Sequence, residues 1–289
     1  MRNGFFKGHG LGNDYIVLDP AELDFELTPV AVRALCDRNR GIGGDGVLAP
    51  VPSEQADIGL RIFNPDGSEA EKSGNGIRIF ASYLCATRRT RRREFRVETR
   101  GGIVGVEVQR NDQGAVSRAT VVMGHASFRP QRLPCTLDVP ELIGQPLRVA
   151  GRSVHFTGVS IGNPHCVVFK AASGEWTRDD LLALGPAIEH HELFPERTNV
   201  QLAVPTGPRS VSILVWERGV GETRASGTSA CAVAAAAVRH ELVRSPVSVR
   251  APGGVLSVTV DEHFDLTLEG DVSEVARGRL SAEFVRALL

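Results

Sequence analysis

The sequence predicts a mixed α/β protein of two pseudo-symmetric domains, each a mixed sheet wrapped on a central helix, with an active site in the cleft between them. An internal repeat is the first observation. GLGNDYIVLD near residue 10 is echoed by SIGNPHCVVF near residue 160, aligning Asn13 with Asn163. FNPDGSEAEKSGNGIRIFA is echoed by WERGVGETRASGTSACAVA, aligning Ser73-Gly74 with Ser226-Gly227. TRGGIVGVEV is echoed by APGGVLSVTV, aligning Gly102 with Gly254. Three anchors in one order, at nearly one offset, indicate duplication. The second observation is that both Ser-Gly anchors open segments of helical character. The third is a set of alternating stretches that read as strands.

Taken along the chain, the Gly-Asn turn at Asn13 enters an apolar strand, and PVAVRALCDR reads as a helix followed by the strand GVLAPV. IRIFASYLCA continues the helix opened at Ser73, and VGVEV reads as a strand. The second half repeats this with the run after Asn163, the strand VSILVW, the helix ACAVAAAAVRHEL and the strand LSVTV. The first half is expected to occupy residues 1–124 and the second 125–270, with 271–289 returning to the first.

With 289 residues, the chain is long enough for two ordinary domains. Its 42% hydrophobic and 23% charged residues are those of a soluble globular protein. A net charge of -1 argues against nucleic-acid or membrane-surface partners. MRNGFFKGHGLGND lacks the apolar core of a secretory signal, and no run is long enough to span a bilayer. The cytoplasm is therefore the expected location. Cys36, Cys85, Cys135, Cys166 and Cys231 are odd in number and form no CxxC pair, which predicts reduced, buried thiols. Apart from adjacent His190 and His191 the histidines are scattered, so no metal site is expected.

Two Ser-Gly helix starts lining one cleft would present unpaired N–H groups and two positive dipole ends to a carboxylate. Inversion at a carbon needs this arrangement. One group removes the α-proton from one face, another delivers a proton to the opposite face, and the N–H groups stabilise the charge that grows on the carboxylate.

GLGNDYIVLD, DRNRGIGGDGVL, RIFNPDGSEAEKSGNG, GNPHCV, TNV at 198–200 and WERGVGETRASGTSACA, in that order, resemble the diaminopimelate epimerase family. The likeness covers nearly the whole chain, and its last two glycine-rich motifs extend to the wider group that includes proline racemase. It implies interconversion of LL- and meso-diaminopimelate without a cofactor, serving lysine and peptidoglycan synthesis, and many members are homodimers. It places the family's two acid/base cysteines on Ser73 and Ser226, with carboxylate cradles at Gly74-Asn75 and Gly227-Thr228. Asn13, Asn64, Asn163, Asn199, Glu217 and Arg218 fall where the family grips the distal end of the substrate. His165 and Glu217 fall where neighbours tune the thiols, and Gly46 departs from members that use glutamine. Independently of the family, Arg218 suits bidentate binding of a carboxylate, and asparagines offer donors and acceptors to an amino-acid head.

Serine at both acid/base positions is the main departure. A thiol titrates near 8.5, whereas a serine hydroxyl is far less acidic and needs a positioned base. Turnover is therefore expected to be very weak or absent. Three explanations stand. The first is a deliberate double Cys→Ser exchange, which the five remaining cysteines fit. The second is a natural paralogue that binds an amino acid or performs another proton transfer, including racemisation of a different amino acid. The third has the serines working with help from His165 and Glu217.

Other signals are set aside. GIGGDG at 41–46 has G-x-G-x-x-G spacing but follows a helix and precedes a strand, the reverse of a dinucleotide site. Arg88, Arg89, Arg91, Arg92 and Arg93 follow the first central helix and read as its solvated end. Lys72 beside Ser73 suggests a Schiff base, but its repeat partner is Ala225. A Ser226–His165 hydrolase lacks the Gly-x-Ser-x-Gly elbow, since Ser226 sits in RASGT.

Overall fold

The computed structural model describes residues 1–170 and 174–289. It is a mixed α/β protein, and its chain divides into two compact units, Met1–Val122 with Gly270–Leu289, and Met123–Glu269. In chain order the first stretch gives β1 (Gly4–Gly10), β2 (Asn13–Leu18), α1 (Pro29–Cys36), β3 (Val47–Val51), β4 (Ile58–Phe63) and β5 (Glu69–Ala70). It continues with α2 (Gly74–Ala86), β6 (Glu94–Thr99), β7 (Gly102–Arg110) and β8 (Val116–His125). The second gives β9 (Gln145–Val149), β10 (Arg152–Ser160), β11 (Pro164–Phe169), α3 (Arg178–Glu189), β12 (Asn199–Gly207) and β13 (Ser210–Glu217). β14 (Gly221–Thr223), α4 (Gly227–Arg239), β15 (Val247–Ala251), β16 (Gly254–Val260), β17 (Asp265–Asp271), β18 (Ser273–Arg279) and α5 (Ala282–Leu288) complete the chain.

The same succession of pairings occurs in each unit. β1 and β2 form an antiparallel hairpin, β2 lies parallel to β3, β3 antiparallel to β4, and β4 parallel to β6. β10 and β11, β11 and β12, β12 and β13, and β13 and β15 repeat those four relations. β9 flanks β10 antiparallel, and β18 flanks β1 in the same way. The C-terminal strand thus supplies the first unit with the flank that β9 supplies to the second.

The central helices are apolar nearly all round, which is the pattern of a helix enclosed by strands. Every residue of α2 from Gly74 to Cys85 is buried, as is every residue of α4 from Gly227 to Ala237. In the first unit α2 packs on β1, β2, β7 and β18; in the second α4 packs on β10, β11, β12, β13, β15 and β16. A second layer buries α1 with Leu18, Leu35 and Phe63, and α3 with Leu184, Phe194 and Val200. α3 opens with a capping box, Thr177 accepting from the N–H of Asp180 while Asp180 accepts from that of Thr177. Its T-x-x-D signature is a local one, carried by Thr177 and Asp180 alone. No helix among the described residues is long and apolar enough to cross a membrane.

Ion pairs absorb much of the arginine run. Arg89 meets Asp19, Arg92 meets Asp57 at 2.7 Å and Arg93 meets Glu107 at 2.5 Å. Local carboxylates, as well as solvent, balance this helix end.

None of the five cysteines is in a disulfide, and Cys135 alone is half-buried rather than buried. Burial, reinforced by the charges of Asp45 and Asp14, pushes the Cys36 thiol up to about 12. Burial also raises Cys85, Cys135 and Cys166. Thiols held protonated react slowly. Titration of the native protein with a chromogenic disulfide at pH 8 is expected to reach at most Cys135 within minutes, and all five thiols after unfolding. Rapid modification of several thiols in the native protein would contradict this burial.

Candidate functional site

The starts of α2 and α4 have the same construction. Ser73 is the N-cap of α2 at φ −140° and ψ 115°, and Ser226 is the N-cap of α4 at φ −140° and ψ 125°. Serine suits the place because its Oγ accepts an N–H that the helix cannot satisfy. Ser73 Oγ accepts from Gly76 N at 3.0 Å, and Ser226 Oγ from Ser229 N at 3.5 Å. Both helices run for 13 residues, so each serine stands at a developed positive dipole end.

In the first unit a chain of side chains leads away from this helix start. Asn75 Nδ2 donates to Asn13 Oδ1 at 3.0 Å, and Asn13 Nδ2 donates to Asp45 Oδ2 at 2.9 Å. The fully buried Arg78 donates through Nη2 to Asn75 Oδ1 at 2.8 Å. Its guanidinium fits because residue 10 is glycine, where a Cβ would lie 2.8 Å from Nη2. Arg38 bridges Asp14 at 2.8 Å and Asp45 at 2.7 Å, and Lys7 reaches Asp14 at 3.0 Å. Burial pushes the Asp14 carboxyl up, but Arg38 and Lys7 outweigh it and hold the group below the usual carboxylate range. Burial, with the charge of Asp14 beside it, raises Asp45. Asn64 is at a separate turn, donating to Ser68 Oγ at 2.9 Å.

The second unit builds a neutral network at the ends of β11, β12 and β13. His165 is fully buried, and burial followed by the charge of Arg218 lowers its pKa to about 3. The ring is therefore neutral. Its Nε2 lies 3.0 Å from Asn163 Oδ1, and its Nδ1 lies 3.1 Å from Gln201 Nε2. One consistent tautomer has Nε2–H donating to Asn163 and Nδ1 accepting from Gln201. Gln201 also donates to Ser229 Oγ at 3.0 Å. Asn199 donates through Nδ2 to the Pro164 carbonyl at 2.8 Å and accepts from the Arg218 backbone N–H at 3.0 Å. Glu217 ends β13 beside Arg218, whose Nη1 donates to the Glu196 carbonyl at 3.4 Å. Ser226 Oγ lies 3.3 Å from Thr228 Oγ1.

A family model described as diaminopimelate epimerase matches residues 5–129 and 157–275. The chain belongs to the diaminopimelate epimerase family. Among curated members, diaminopimelate epimerase 2 of Nostoc sp. is 41% identical over 281 residues, covering 96% of each chain. Diaminopimelate epimerase of Methanothermobacter thermautotrophicus is 41% identical over 284 residues, covering 96% of this chain and 98% of its own. Of solved structures, a hydroxyproline epimerase from Agrobacterium vitis matches with a TM-score of 0.72 at 15% identity, covering 96% of this chain and 90% of its own. At that identity the likeness speaks to the fold.

Of the residues singled out by sequence for this diaminopimelate epimerase family member, Asn13, Ser73, Gly74 and Asn75 gather in one unit. Asn163, His165, Asn199, Glu217 and Arg218 gather in the other, with Ser226, Gly227 and Thr228 at the start of α4. The residues missed are Tyr15, Asp45, Arg78, Gln201 and Ser229. Tyr15 could have been found, because the repeat that aligns Asn13 with Asn163 also aligns Tyr15 with His165. The others had no local signal.

Proposed function

We propose that the protein is an amino-acid epimerase of the two-base, cofactor-independent type, acting on 2,6-diaminopimelate. Ser73 serves one face of the α-carbon and Ser226 the other, and the N–H groups at Gly74-Asn75 and Gly227-Thr228 receive the reacting carboxylate. The observation that carries this reading is the pair of helix starts with matching dihedral angles, each capped by its serine. The curated relatives named diaminopimelate epimerase support the substrate.

Asn13, Asn64, Asn163, Glu217 and Arg218 hold the distal head. Asn199, with both ends of its amide engaged by Pro164 and Arg218, contributes by fixing the backbone from which Arg218 projects. His165, neutral and bonded on both nitrogens, orients Asn163 and transfers no proton. The same bonds argue against a Ser226–His165 hydrolase, since Ser226 Oγ is engaged by Thr228 and Ser229. We assign the chemistry to the cytoplasm, as the family's biosynthetic role suggests.

Serine at both acid/base positions favours a second reading, an amino-acid-binding paralogue that does not invert its ligand. Calorimetry tests the part common to both. Meso-diaminopimelate is expected to bind saturably and proline not at all, and Arg218→Met is expected to weaken binding by about 1.5–3 kcal/mol, roughly 10- to 150-fold. If no diaminopimelate isomer binds, both readings fail.

A further inference from the structure

The repeat sets Tyr15 on β2 opposite number to His165 on β11, each two residues after its matched asparagine. The two rings make different connections. His165 reaches Asn163 and Gln201. The Tyr15 hydroxyl lies 3.3 Å from Ser73 Oγ itself. Its ring is nearly buried, and Gly46 makes the space for it: a Cβ there would stand 2.6 Å from the ring and 2.3 Å from the Phe63 carbonyl oxygen. With Tyr15 as donor, Ser73 Oγ accepts from both the phenol and Gly76 N–H, so the serine's own proton is directed elsewhere.

We propose that Tyr15 is the proton relay of Ser73, supplying from a neighbouring phenol the acidity that a serine lacks. The proposal rests on the epimerase reading above. When Ser73 donates, its O–H bond breaks, the carbanion's electron pair forms the new Cα–H bond, and the serine oxygen takes the phenolic proton, leaving Tyr15 as phenolate. When Ser73 abstracts, the phenolate takes the serine proton while Oγ takes the α-proton and the C–H electron pair stays on carbon. Solvent closes each cycle: it returns a proton to the phenolate after a donation, and it takes the proton from the phenol before an abstraction. A phenol ordinarily titrates near 10, far closer to neutrality than an aliphatic hydroxyl, so the proton's excursion is shortened. The 3.3 Å separation is long for a hydroxyl pair, and such contacts tighten once substrate orders a site. Among the described residues Ser226 Oγ meets Thr228 Oγ1 and Ser229 N, and neither is as acidic as a phenol. The two faces of the α-carbon are therefore served unequally.

Loss of the α-proton signal in deuterium oxide, starting separately from LL- and meso-diaminopimelate, tests the relay. The unaltered protein is expected to exchange slowly but measurably. Tyr15→Phe is expected to lower exchange roughly 10- to 100-fold, and more strongly from one epimer than from the other. In a Ser73→Cys background, where a thiol needs no relay, the loss should shrink to about threefold or less. Thermal unfolding checks that each variant is folded. A loss of equal size in both backgrounds would reduce Tyr15 to packing and overturn the relay. So would undetectable exchange by the unaltered protein when the Ser73→Cys/Ser226→Cys protein exchanges. No exchange even by that double variant removes the epimerase reading itself, and the relay with it.

Discussion

Replacing both Ser73 and Ser226 by cysteine is expected to raise α-proton exchange on diaminopimelate by roughly 10²–10⁴-fold. The gain follows from the groups already present around each Oγ. A thiolate at position 73 would accept the same Gly76 N–H that the serine accepts, and one at position 226 the Ser229 N–H. Each would also stand at the positive end of a 13-residue helix. Those features lower the cost of a charged sulfur, whose thiol already titrates near 8.5. They favour an alkoxide too, but a serine hydroxyl starts far from neutrality, and each pKa unit left uncovered costs about 1.4 kcal/mol. Because the proposed inversion uses both groups in one event, either single exchange should recover only part of the gain. Solvent-deuterium incorporation read by NMR measures it. A double variant that binds diaminopimelate without exchanging it would show that serine is not what limits the chemistry, and would favour the binding paralogue.

Lowering the pH from 6.5 to 5 is expected to remove about 2 kcal/mol of folding stability through His165 alone. Burial and the Arg218 charge lower its pKa to about 3 in the folded state, whereas the unfolded chain titrates it near 6.5. Between those values the unfolded state binds the extra proton, so stability is fully present above 6.5 and is lost as the pH falls. The slope is about 1.4 kcal/mol per pH unit per proton. His240, which burial also lowers, adds a loss of the same sign. Urea unfolding at half-unit intervals reads the slope, and His165→Gln should flatten it by about one proton. An unchanged slope in that variant would mean that His165 is not held neutral by the fold.

The duplication and both serine-capped helix starts were legible because they are local. A repeated Gly-Asn turn, a repeated Ser-Gly and an apolar run after each need no partner elsewhere in the chain to be recognised. The strand stretches VGVEV, VSILVW and LSVTV were legible through alternation, and they lie in β7, β13 and β16. α3 carries an equally local signal, the Thr177–Asp180 box at its start.

By itself, then, the sequence determined the mixed α/β class, the family and the two serines, Ser73 and Ser226, that open the central helices. Only the tertiary structure decided what surrounds those positions. That Tyr15 meets Ser73, that His165 turns to Asn163 and Gln201 rather than to Ser226, and that Arg78 is buried under Gly10 depend on strand register and close backbone approach. Such contacts join residues tens of positions apart, and a one-residue slip in pairing would turn each side chain to the opposite face of its strand. No local pattern encodes that choice; the packing of the whole sheet on its central helix makes it.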